Sequence, residues 1–590
     1  MNYIGINLSH NASACLMVNG VIKLALQEER FLQFKSPWVF PKLSLQYILK
    51  YLKKNKLQID KIAFSTEYNR PFEYINPMHH FFSIKDWKEF YGEKFYGRKF
   101  KGLSVDDYIK KMFSDKRNKL STNLNMKRFK LKKNWYNVKQ FQLEQISAVK
   151  KIFNISDDKI CFLDHHSCHA HYAYFAAVKG YKKNFCVLTL DSEGDVSNQT
   201  VWVTKNNKDI LKEVVRSETS DLARIYSFTT LLLSMKPHEH EFKVMGLAPY
   251  AKFEYANKVY EDVFSKILKV KNCKIVHNKR PRDLFNYLKK SFEKYRFDNI
   301  AGGLQIFLEK IAVELVTQVY KKYKIRNFAI SGGVSMNIKM NKVISELPFV
   351  DKLYVPPSGS DESLSMGACY LLEKGKSKPL KNIYLGIKID EQSPKNLLFK
   401  NKKFKILRNI NSSYIANLLK VGGIIAVARH REEFGARALG NRSIIANPSM
   451  LNVVQEINEA IKNRDFWMPF ALTVMSDKQK LVLKNPKKIN SNFMTIGFDT
   501  VNKNLNLFKA GTHPYDATVR PQILEKKHNA NFYKIINSFY KLTGIPAVLN
   551  TSLNLHGKPI SSTLKDVIYT FENSGLKYLY INDDILIIKK

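Results

Sequence analysis

The sequence lacks the features that mark membrane, secreted and zinc-ribbon proteins. Its six cysteines are scattered over 590 residues without CxxC spacing, so neither a disulfide framework nor a zinc ribbon is expected. No run of 18 or more apolar residues occurs, and the opening stretch MNYIGINLSHNASACLMVNG has neither a basic segment nor a small-residue cleavage pattern. We therefore expect a soluble, cytoplasmic protein without a membrane span.

A Walker-type phosphate-binding loop is also absent. The pattern GxxxxGK[ST] does not occur, and the nearest match, GARALGNRS at 435–443, has Asn441 where the lysine belongs. That lysine contacts the nucleotide phosphates in Walker-type proteins. A Walker-type NTPase is therefore not expected.

Acidic residues are scarce: 52 Asp and Glu stand against 96 Lys and Arg, which gives a net charge of +44. Such a charge attracts phosphates, nucleic acid or anionic membrane surfaces, although lysines spread along the whole chain can also reflect a biased genomic composition. The densest block, residues 84–140, has 17 basic and 6 acidic residues interleaved with aromatics. If any region holds an anionic partner, we expect it to be this one.

Apolar patterns predict an α/β protein, and its 590 residues exceed what one core usually supports. Strands are predicted at YIGINL, ACLMV, VIKLALQ, FCVLTLD, NFAISGG, GIIAVA, IPAVLN and YLYIND, and they alternate with helical patterns such as LQIFLEKIAVELVTQVYKKY. No internal repeat is evident. A charged, Pro-containing stretch predicts a linker at 376–395 between a first domain at 1–375 and a second at 396–590.

The segment FLDHHSCHAHYAYFAA, residues 162–177, concentrates four histidines, an aspartate and a cysteine. A helix there would place His165 and His169 on one face, where two imidazoles can share one metal ion. His166 and His171 would point elsewhere. A polar helix with a histidine-rich exposed face is the alternative interpretation.

Two carboxylates are available to complete a metal site. Asp191 ends the predicted strand FCVLTLD, and Asp361 lies in PPSGSDESLSMGA, where a loop leads into a helix. Ligand sites of α/β proteins lie at the ends of strands, and a divalent ion needs more donors than two imidazoles supply. The metal interpretation therefore requires both carboxylates.

Several segments predict anion binding. SGGVSMN, residues 331–337, follows a strand, so its backbone N–H groups can hold phosphate oxygens, although glycines also serve tight turns. RHREEFGARALGNRS at 429–443 and KNRDFWMPF at 462–470 contain arginines that repel each other unless an anion lies between them. HPYDATVRPQ at 513–522 and LNTSLNLHGKPI at 549–560 add further polar side chains. A solvated basic surface is the alternative.

Eight motifs, in this order along nearly the whole chain, resemble those of the O-carbamoyltransferases. They are HHSCHA, LTLDSEG, KVMGLAPY, ISGGVSMN, PPSGSDESLSMGA, EFGARALGNRSI, a K-x-R-x-F-W-x-P-F-A run and NTSLN-x-x-G-x-P-I. The family includes nodulation-factor, tobramycin and cephamycin carbamoyltransferases. The basic aromatic block at 84–140 is the exception and resembles an enlarged insertion.

This resemblance implies an N-terminal actin-like ATPase domain of the ASKHA class, related to the enzyme that completes threonylcarbamoyl-adenosine in tRNA, and a C-terminal YrdC-like domain. It implies that carbamoyl phosphate is cleaved in the YrdC-like domain and that its carbamate is joined to AMP from ATP. The carbamoyl-adenylate would then donate its carbamoyl group to a hydroxyl of a small molecule or glycan in the N-terminal domain. The motifs do not identify the acceptor.

The resemblance also implies roles for individual residues. The implied ligands of a divalent ion, Fe²⁺ in the family with Mg²⁺ or Mn²⁺ as alternatives, are His165, His169, Asp191 and Asp361. The residues implied to lie near carbamoyl phosphate are Arg431, Arg437, Arg442, Lys462, Arg464 and Arg520, of which Arg437 and Lys462 are the catalytic candidates. The residues expected to bind the adenylate or supply polar contacts are Gly332, Gly333, Asn337, Asn550 and Ser552.

Attack by a hydroxyl needs a base, and His10 in the turn LSHNASA is the candidate. A turn histidine without a catalytic role is the alternative. Relatives often carry an acid in this turn where this chain has Ala12, which puts the assignment of His10 in doubt. They also carry a proline where this chain has Ala436, a difference in loop stiffness.

A rival hypothesis is nucleic-acid binding, including tRNA modification of the threonylcarbamoyl type, because of the net charge of +44 and the basic aromatic block. The order of both domains in one chain favours an enzyme that acts on small molecules, so nucleic acid is not expected as a partner. The hydrogenase-maturation carbamoyltransferase also unites both domains, but its zinc-binding CxxC pairs are missing here.

Overall fold

The computed structural model describes residues 1–68, 82–108, 137–176, 184–204, 210–374, 376–389 and 403–590. Contacts divide the chain into two compact units, one of Met1–Glu29 and Ser36–Pro379, the other of Arg30–Lys35 and Leu380–Lys590. Both units combine sheets with helices, so the predicted mixed α/β class is confirmed. The division at 379/380 falls inside the predicted linker, whose residues 390–395 lie outside the described residues; the domain boundaries themselves stay predictions.

Up to residue 374, the strands are β1 (Asn2–Asn7), β2 (Ser13–Val18), β3 (Val21–Gln27), β4 (Lys61–Phe64), β5 (Ile160–Phe162), β6 (Cys186–Gly194), β7 (Ser197–Thr204), β8 (Leu211–Ser217), β9 (Leu268–Lys271), β10 (Lys274–His277), β11 (Asn327–Ser331) and β12 (Lys352–Tyr354). The α-helices of the same stretch are α1 (Glu28–Leu32), α2 (Lys42–Lys54), α3 (Ile84–Glu89), α4 (Tyr96–Phe100), α5 (Val138–Lys150), α6 (His165–Phe175), α7 (Leu222–Leu232), α8 (Glu241–Leu247), α9 (Phe253–Val259), α10 (Leu284–Phe292), α11 (Phe297–Tyr323), α12 (Ile338–Glu346) and α13 (Leu364–Glu373).

The first unit contains two five-stranded sheets with the same topology. Their orders are β3-β2-β1-β4-β5 and β8-β7-β6-β11-β12. In each sheet the first three strands in sequence pair antiparallel, and the remaining two add on parallel. The unit is therefore an internal structural duplication, which the sequence did not reveal because the two copies share topology rather than residue patterns.

The hairpin that joins β2 to β3 follows from its two turn residues. Asn19 has φ 49° and Gly20 has φ 73°, which is the pair of left-handed conformations that a type I′ turn needs and that Asn-Gly adopts at low cost. The strands predicted on either side of this turn are confirmed.

Close packing brings α13 against both β1 and α6. A Cβ atom on Gly5 of β1 would collide with the backbone carbonyl of Ser365, and a Cβ atom on Gly367 would collide with the carbonyl of Cys168 in α6. Small residues at these two points let the three elements approach closely. Asp361, in the 3₁₀ turn just before α13, is thereby held near the start of α6.

From residue 403 on, the strands are β13 (Phe404–Leu407), β14 (Ile425–Ala428), β15 (Arg442–Ala446), β16 (Ala471–Met475), β17 (Phe498–Asp499), β18 (Thr518–Val519), β19 (Pro521–Leu524), β20 (Ala547–Ser552), β21 (Tyr578–Ile581) and β22 (Ile585–Lys589). The α-helices are α14 (Ser412–Lys420), α15 (Asn452–Ile457), α16 (Ala530–Thr543) and α17 (Leu564–Glu572). A mixed sheet of order β13-β22-β21-β14-β15-β20-β16-β19 organises this unit, and an apolar cluster that includes Ile444, Leu549 and Phe571 packs on it. Its YrdC-like character stays a prediction.

Residues 84–108 of the basic aromatic block, which the structure describes, fold around their own rings. Trp87, Phe90 and Phe95 are each at most 3% exposed, Phe90 stacks on Phe95 with ring centroids 5.1 Å apart, and Tyr91 contacts Phe228 of α7 at 4.7 Å. Rings buried in this way cannot stack on nucleic-acid bases, whereas Phe100 is 36% exposed, so nucleic-acid binding by the block as a whole stays a hypothesis. Residues 109–136 of the block lie outside the described residues.

Within the parts of the chain that the structure describes, no helix combines the length and the apolar character that crossing a membrane requires.

Candidate functional site

Helix α6 begins at the histidine segment because Asp164 caps it. The Asp164 carboxylate accepts hydrogen bonds from the backbone N–H of Ser167 (2.7 Å) and from the Arg216 guanidinium (2.9 Å), and a capping carboxylate stabilises a helix N-terminus. The predicted helix is therefore confirmed. His165 and His169 are only 3% and 0% exposed, which contradicts the alternative of an exposed histidine-rich face.

The four predicted metal ligands converge. One ligand atom from each of His165, His169, Asp191 and Asp361 lies within 4.8 Å of the others, and all four residues are buried. Nε2 of His169 is 3.5 Å from an oxygen of each carboxylate, and Nε2 of His165 is 3.8 Å from Asp361 Oδ1. Helix α6, strand β6 and the turn before α13 contribute these residues to one cluster, which we call the metal cluster.

Three atoms of the metal cluster are buried without a hydrogen-bond partner: Nε2 of His165, Nε2 of His169 and Oδ1 of Asp361. Buried polar atoms are nearly always paired, and three orphans around one point are what a coordinated cation satisfies. Two imidazoles and two carboxylates are a donor set suited to a divalent transition metal. The residues present therefore fit such an ion.

Neighbouring groups fix the orientation of these donors, as outer partners do in metal sites. His169 Nδ1 lies 3.2 Å from the hydroxyl of Ser331, which itself donates to the carbonyl of Gly359. Asp191 accepts hydrogen bonds of 2.6 Å from the backbone N–H of Ser192 and of Gly333. The sequence reasoning missed Ser331, although it directly precedes the predicted glycine pair.

The other two histidines of α6 are engaged elsewhere. His166 Nδ1 lies 2.7 Å from the Thr189 hydroxyl, and its Nε2 lies 3.0 Å from the Ser197 carbonyl. Burial, helped by the neighbouring His165, lowers the pKa of His166 to about 3. His171 Nδ1 lies 2.7 Å from the Ser167 carbonyl. Both rings therefore serve the packing of the helix.

Charges in the metal cluster depend on each other. Burial lowers the pKa of His169, but the carboxylates of Asp191 and Asp361, each with an oxygen 3.5 Å from Nε2, outweigh burial and raise it to about 9. Burial raises the pKa of Asp361, but the charge of His165 and the neighbouring imidazoles of His10 and His169 hold it well below its usual range. The pocket therefore favours a positive charge at its centre.

His10 lies beside the metal cluster. Its Nδ1 is 3.4 Å from Asp361 Oδ2, and the same oxygen accepts a 2.7 Å hydrogen bond from the Ser9 hydroxyl. Burial lowers the pKa of His10, but the hydrogen bond and charge of Asp361 raise it overall to about 9. The position suits a residue that handles a proton, and the catalytic role stays a prediction.

The glycine loop after β11 serves the metal cluster. Gly332 has φ 92°, and a Cβ atom there would collide with the Leu190 carbonyl. The N–H of Gly333 donates to Asp191, so this group is already committed to a carboxylate. Asn337 caps α12 by accepting from the N–H of Met340 (2.9 Å). These contacts give the three residues structural tasks, and their predicted contact with an adenylate stays a prediction.

The second unit gathers four cationic side chains, which we call the cation cluster: Arg437, Lys462, Arg464 and Arg520. Burial and the charge of Arg437 lower the pKa of Arg464 to about 10. Burial, Arg437 and Arg464 hold the pKa of Arg520 well below its usual range, and burial, Arg464 and Lys35 do the same for Lys462. An anion between cations that destabilise one another's charged forms in this way would stabilise them, and the predicted anion site stays a prediction.

Lys462 is held by neutral oxygens. It is 4% exposed, and its ammonium donates to the Ser552 carbonyl, to the Ser552 hydroxyl at 3.2 Å and to Asn554 Oδ1 at 2.7 Å. Ser552, which was predicted to supply a polar contact, therefore accepts hydrogen bonds from Lys462. Asn550 donates to the carbonyl of Ala438 (3.1 Å), and this bond links β20 to the loop that carries Arg437.

Arg464 contacts two residues that the sequence reasoning missed. Its guanidinium donates to the hydroxyl of Thr551 at 2.8 Å and lies 4.7 Å from the ring centre of Phe470. Thr551 lies between the predicted Asn550 and Ser552, and Phe470 belongs to the K-x-R-x-F-W-x-P-F-A motif. Both could have been found from their place in the motifs.

Arg431 and Arg442 bind backbone carbonyls, and their predicted contact with carbamoyl phosphate stays a prediction. Arg442 is 0% exposed and donates to the backbone carbonyls of Arg429 (2.7 Å), Asn441 (2.9 Å) and Ser562 (3.0 Å). Arg431 donates to the carbonyls of Gly386 (2.9 Å) and Leu385. Buried carbonyls that are not paired in a sheet need other hydrogen-bond donors. The two guanidinium groups supply such donors and thereby hold loop backbones together.

Two family models cover most of the chain. The model described as "Carbamoyltransferase N-terminus" matches residues 2–370, and the model described as "Carbamoyltransferase C-terminus" matches residues 416–589. The chain belongs to the carbamoyltransferase family. This confirms the membership that the eight motifs predicted.

Full-length relatives agree with this assignment. The uncharacterized protein MJ1051 of Methanocaldococcus jannaschii is 29% identical over 597 residues, which cover 99% of each chain. The nodulation protein NolNO of Sinorhizobium fredii is 25% identical over 591 residues, which cover 98% of this chain and 79% of that one. Among solved structures, component A of the (R)-2-hydroxyglutaryl-CoA dehydratase of Acidaminococcus fermentans reaches a TM-score of 0.30 at 10% identity and covers 63% of this chain and 96% of that chain. A structural similarity this low does not bear on function.

Proposed function

We propose that this family member is an ATP-dependent O-carbamoyltransferase that makes carbamoyl-adenylate from carbamoyl phosphate and ATP and transfers the carbamoyl group to a hydroxyl. The observation that carries the proposal is the cation cluster. Arg464 and Arg520 lie close enough to Arg437 to lower their pKa values, an arrangement that an anion of phosphate type stabilises. Carbamoyl phosphate is such an anion, and the family membership makes it the expected one.

In the first stage, water and carbamoyl phosphate give carbamate and phosphate. A carbamate oxygen then bonds to the α-phosphorus of ATP, and the bond to pyrophosphate breaks. Both steps move negative charge between oxygens, and fixed guanidinium groups stabilise that charge without having to reorient. We assign this role to Arg437, Arg464 and Arg520. Lys462, already fixed by Ser552 and Asn554, adds one further positive charge.

In the second stage, the acceptor oxygen bonds to the carbamoyl carbon, the bond to AMP breaks, and the hydroxyl proton passes to a base. His10 is the base we propose, with Nε2 as the accepting atom because its Nδ1 faces Asp361. Asp361 raises the pKa of His10 to about 9, so the role requires the neutral form, which a cation held by Asp361 would favour. A divalent ion, Fe²⁺ in our proposal, would be held by His165, His169, Asp191 and Asp361 and would polarise the carbamoyl carbonyl.

We further propose that the first unit is an actin-like ATPase domain and the second a YrdC-like domain. The duplicated sheets of the first unit, each with three antiparallel strands followed by two parallel ones, support an actin-like fold. Under this proposal the loop at Gly332 and Gly333 lies near the adenylate.

The proposal is tested by supplying the purified protein with ATP, radiolabelled carbamoyl phosphate and a cell extract that contains acceptors. We expect AMP, pyrophosphate and phosphate in equal amounts, together with one extract component that gains the carbamoyl label. ATP consumption that is independent of carbamoyl phosphate, or label that stays in carbamoyl phosphate, would contradict the proposal.

A further inference from the structure

The segment that carries Arg437 belongs to no helix or strand. It occupies residues 435–441, between β14 and β15, and we call it the Arg437 loop. Gly435 and Gly440 near its two ends have φ of 103° and 107°, which glycine adopts at little cost. Backbone groups outside regular structure need hydrogen-bond partners from elsewhere, so the partners of this loop decide where Arg437 lies.

Glu433 supplies the acceptor for the second half of the Arg437 loop. The residue is only 1% exposed. Its Oε1 accepts hydrogen bonds from the backbone N–H groups of Leu439 (2.5 Å), Asn441 (3.4 Å) and Arg442 (3.3 Å). Hydrogen bonds to a carboxylate are stronger than those between neutral groups. One carboxylate oxygen therefore gathers three backbone groups on the C-terminal side of Arg437.

Donor side chains fix the carbonyls of the same loop. On the N-terminal side of Arg437, the guanidinium of Arg30, which is 2% exposed, donates to the Gly435 carbonyl at 2.6 Å. On the C-terminal side, the carbonyls of Ala438 and Leu439 accept from Asn550 (3.1 Å), Tyr384 (2.7 Å) and Gln522 (3.2 Å). Side chains thus hold the backbone on both sides of Arg437.

We propose that Glu433 is a positioning residue for anion binding in the second unit, because it fixes the Arg437 loop so that the Arg437 guanidinium meets the same anion as Arg464 and Arg520. Glu433 itself binds backbone and makes no contact with the anion. A guanidinium that is fixed in advance binds an anion without the cost of ordering its loop. The inference rests on the proposed function, because it explains how the site for carbamoyl phosphate is held.

A second explanation is that Glu433 stabilises the fold and has no specific effect on Arg437. The two explanations differ in a double-mutant cycle, which measures whether the effects of two substitutions add. If Glu433 acts through Arg437, removing Glu433 has no further effect on anion affinity once Arg437 is gone. If Glu433 acts on the fold alone, the cycle shows no coupling between the two residues.

Anion binding can be measured without catalysis, by calorimetric titration of the full-length protein with inorganic phosphate. We expect Glu433→Ala to weaken phosphate binding at least about tenfold, because a misplaced guanidinium loses its hydrogen bond to the charged ligand. Glu433→Gln should retain part of the affinity, since its amide oxygen still accepts a hydrogen bond. Glu433→Ala combined with Arg437→Ala should bind phosphate as weakly as Arg437→Ala alone.

Asp283→Ala is the matched control. The Asp283 carboxylate also accepts a backbone N–H, that of Asn286 at 3.1 Å, but it does so at the start of α10 in the first unit. Its removal takes away a helix cap. We therefore expect a lower thermal stability together with an unchanged affinity for phosphate.

The outcomes separate this inference from the proposed function. Unchanged phosphate affinity in Glu433→Ala, a loss that adds to that of Arg437→Ala, or a wild type that does not bind phosphate would each overturn the inference, whereas AMP formation from carbamoyl phosphate and ATP would still support the proposed function. Phosphate binding that depends on Glu433 through Arg437, in a protein that forms no AMP, would support the inference and remove the proposed function. If thermal unfolding shows that Glu433→Ala does not fold, Glu433→Gln replaces it in the cycle and decides.

Discussion

The metal cluster and the cation cluster are two incompletely satisfied sites of opposite character. The metal cluster mixes two imidazoles with two carboxylates and leaves the Nε2 atoms of His165 and His169 without hydrogen bonds. The cation cluster brings together side chains of one sign, and these lower the pKa values of Arg464 and Arg520. Each cluster therefore indicates the charge of its partner, a cation for the first and an anion for the second.

The comparison also shows which charged residues hold the fold together. Arg429 is 0% exposed and pairs with Asp583 at 2.5 Å, and Arg442 donates to backbone carbonyls. The sequence cannot separate these arginines from Arg437, because all of them lie in the same motif. These arginines can be told apart only from the contacts that each guanidinium group makes in the folded protein.

The largest expected effect is the loss of the metal cluster in His169→Ala. The variant should lose carbamoyl transfer altogether. Its metal affinity should fall by at least about 100-fold, because removing a residue that merely orients a ligand already costs up to about 100-fold. Metal content after dialysis and transfer activity measure the two effects. His171→Gln, on the same helix, is the control. Stoichiometric metal in His169→Ala would remove this residue from the site.

The second largest effect is expected on stability, when buried Arg429 loses the carboxylate of Asp583. Asp583→Ala leaves the Arg429 guanidinium buried without its carboxylate, so we expect a loss of roughly 3–5 kcal/mol in the free energy of unfolding, measured by urea denaturation. Burial raises the pKa of Asp583, but the His430 hydrogen bond and the Arg429 charge lower it overall below its ordinary value of 3.8. The wild-type pair therefore stabilises the fold at neutral pH, and this contribution should disappear as the pH falls through the folded-state pKa. A variant as stable as the wild type would show that the pair contributes nothing.

A smaller effect is expected for Arg437 of the cation cluster. Arg437→Ala should raise KM for carbamoyl phosphate about 10- to 150-fold, since a hydrogen bond to a charged group contributes about 1.5–3 kcal/mol. Arg437→Lys should fall between, because lysine keeps the charge but not the guanidinium fork. Arg326→Ala, which removes a surface pair with Asp351, is the control. Unchanged cleavage kinetics in Arg437→Ala would remove it from the site.

The smallest effect has the opposite sign. The Nε of Arg520 is buried without a hydrogen-bond partner among the described residues, and Arg520→Met removes one of the mutually repelling charges. We therefore expect a gain of about 0.5–2 kcal/mol in the free energy of unfolding, together with a loss of activity. Thermal unfolding of the ligand-free protein measures the gain, with Arg326→Met as the control. A clear loss of stability would mean that the cation cluster is not strained.

Local patterns made much of the first unit predictable. The Asn19-Gly20 turn, the strands beside it and the helix at His165 follow from turn chemistry and residue periodicity. The metal cluster was also predictable as a set, because its members end a strand, begin a helix and lie in motifs of one family. The duplicated sheets were not predictable, since two copies with the same strand order need not share any residue pattern.

The aromatic block and the arginine loop show what sequence reasoning lacked. Trp87 and Phe90 were predicted as exposed stacking residues because basic residues surround them, yet both are buried and their rings contact each other at 5.8 Å. Arg431 and Arg442 were predicted as anion ligands, and the structure shows in addition that they bind backbone carbonyls. Several of these carbonyls belong to residues 385–387 and Ser562, which are distant in sequence, so only the tertiary structure reveals them.

The most direct test of the two-site account is the exchange of radiolabelled pyrophosphate into ATP, driven by carbamoyl phosphate, in three proteins. The account predicts exchange in the wild type and in His169→Ala, because adenylate formation is assigned to the cation cluster, and strongly reduced exchange in Arg437→Ala. Exchange that survives in Arg437→Ala but disappears in His169→Ala would contradict the account.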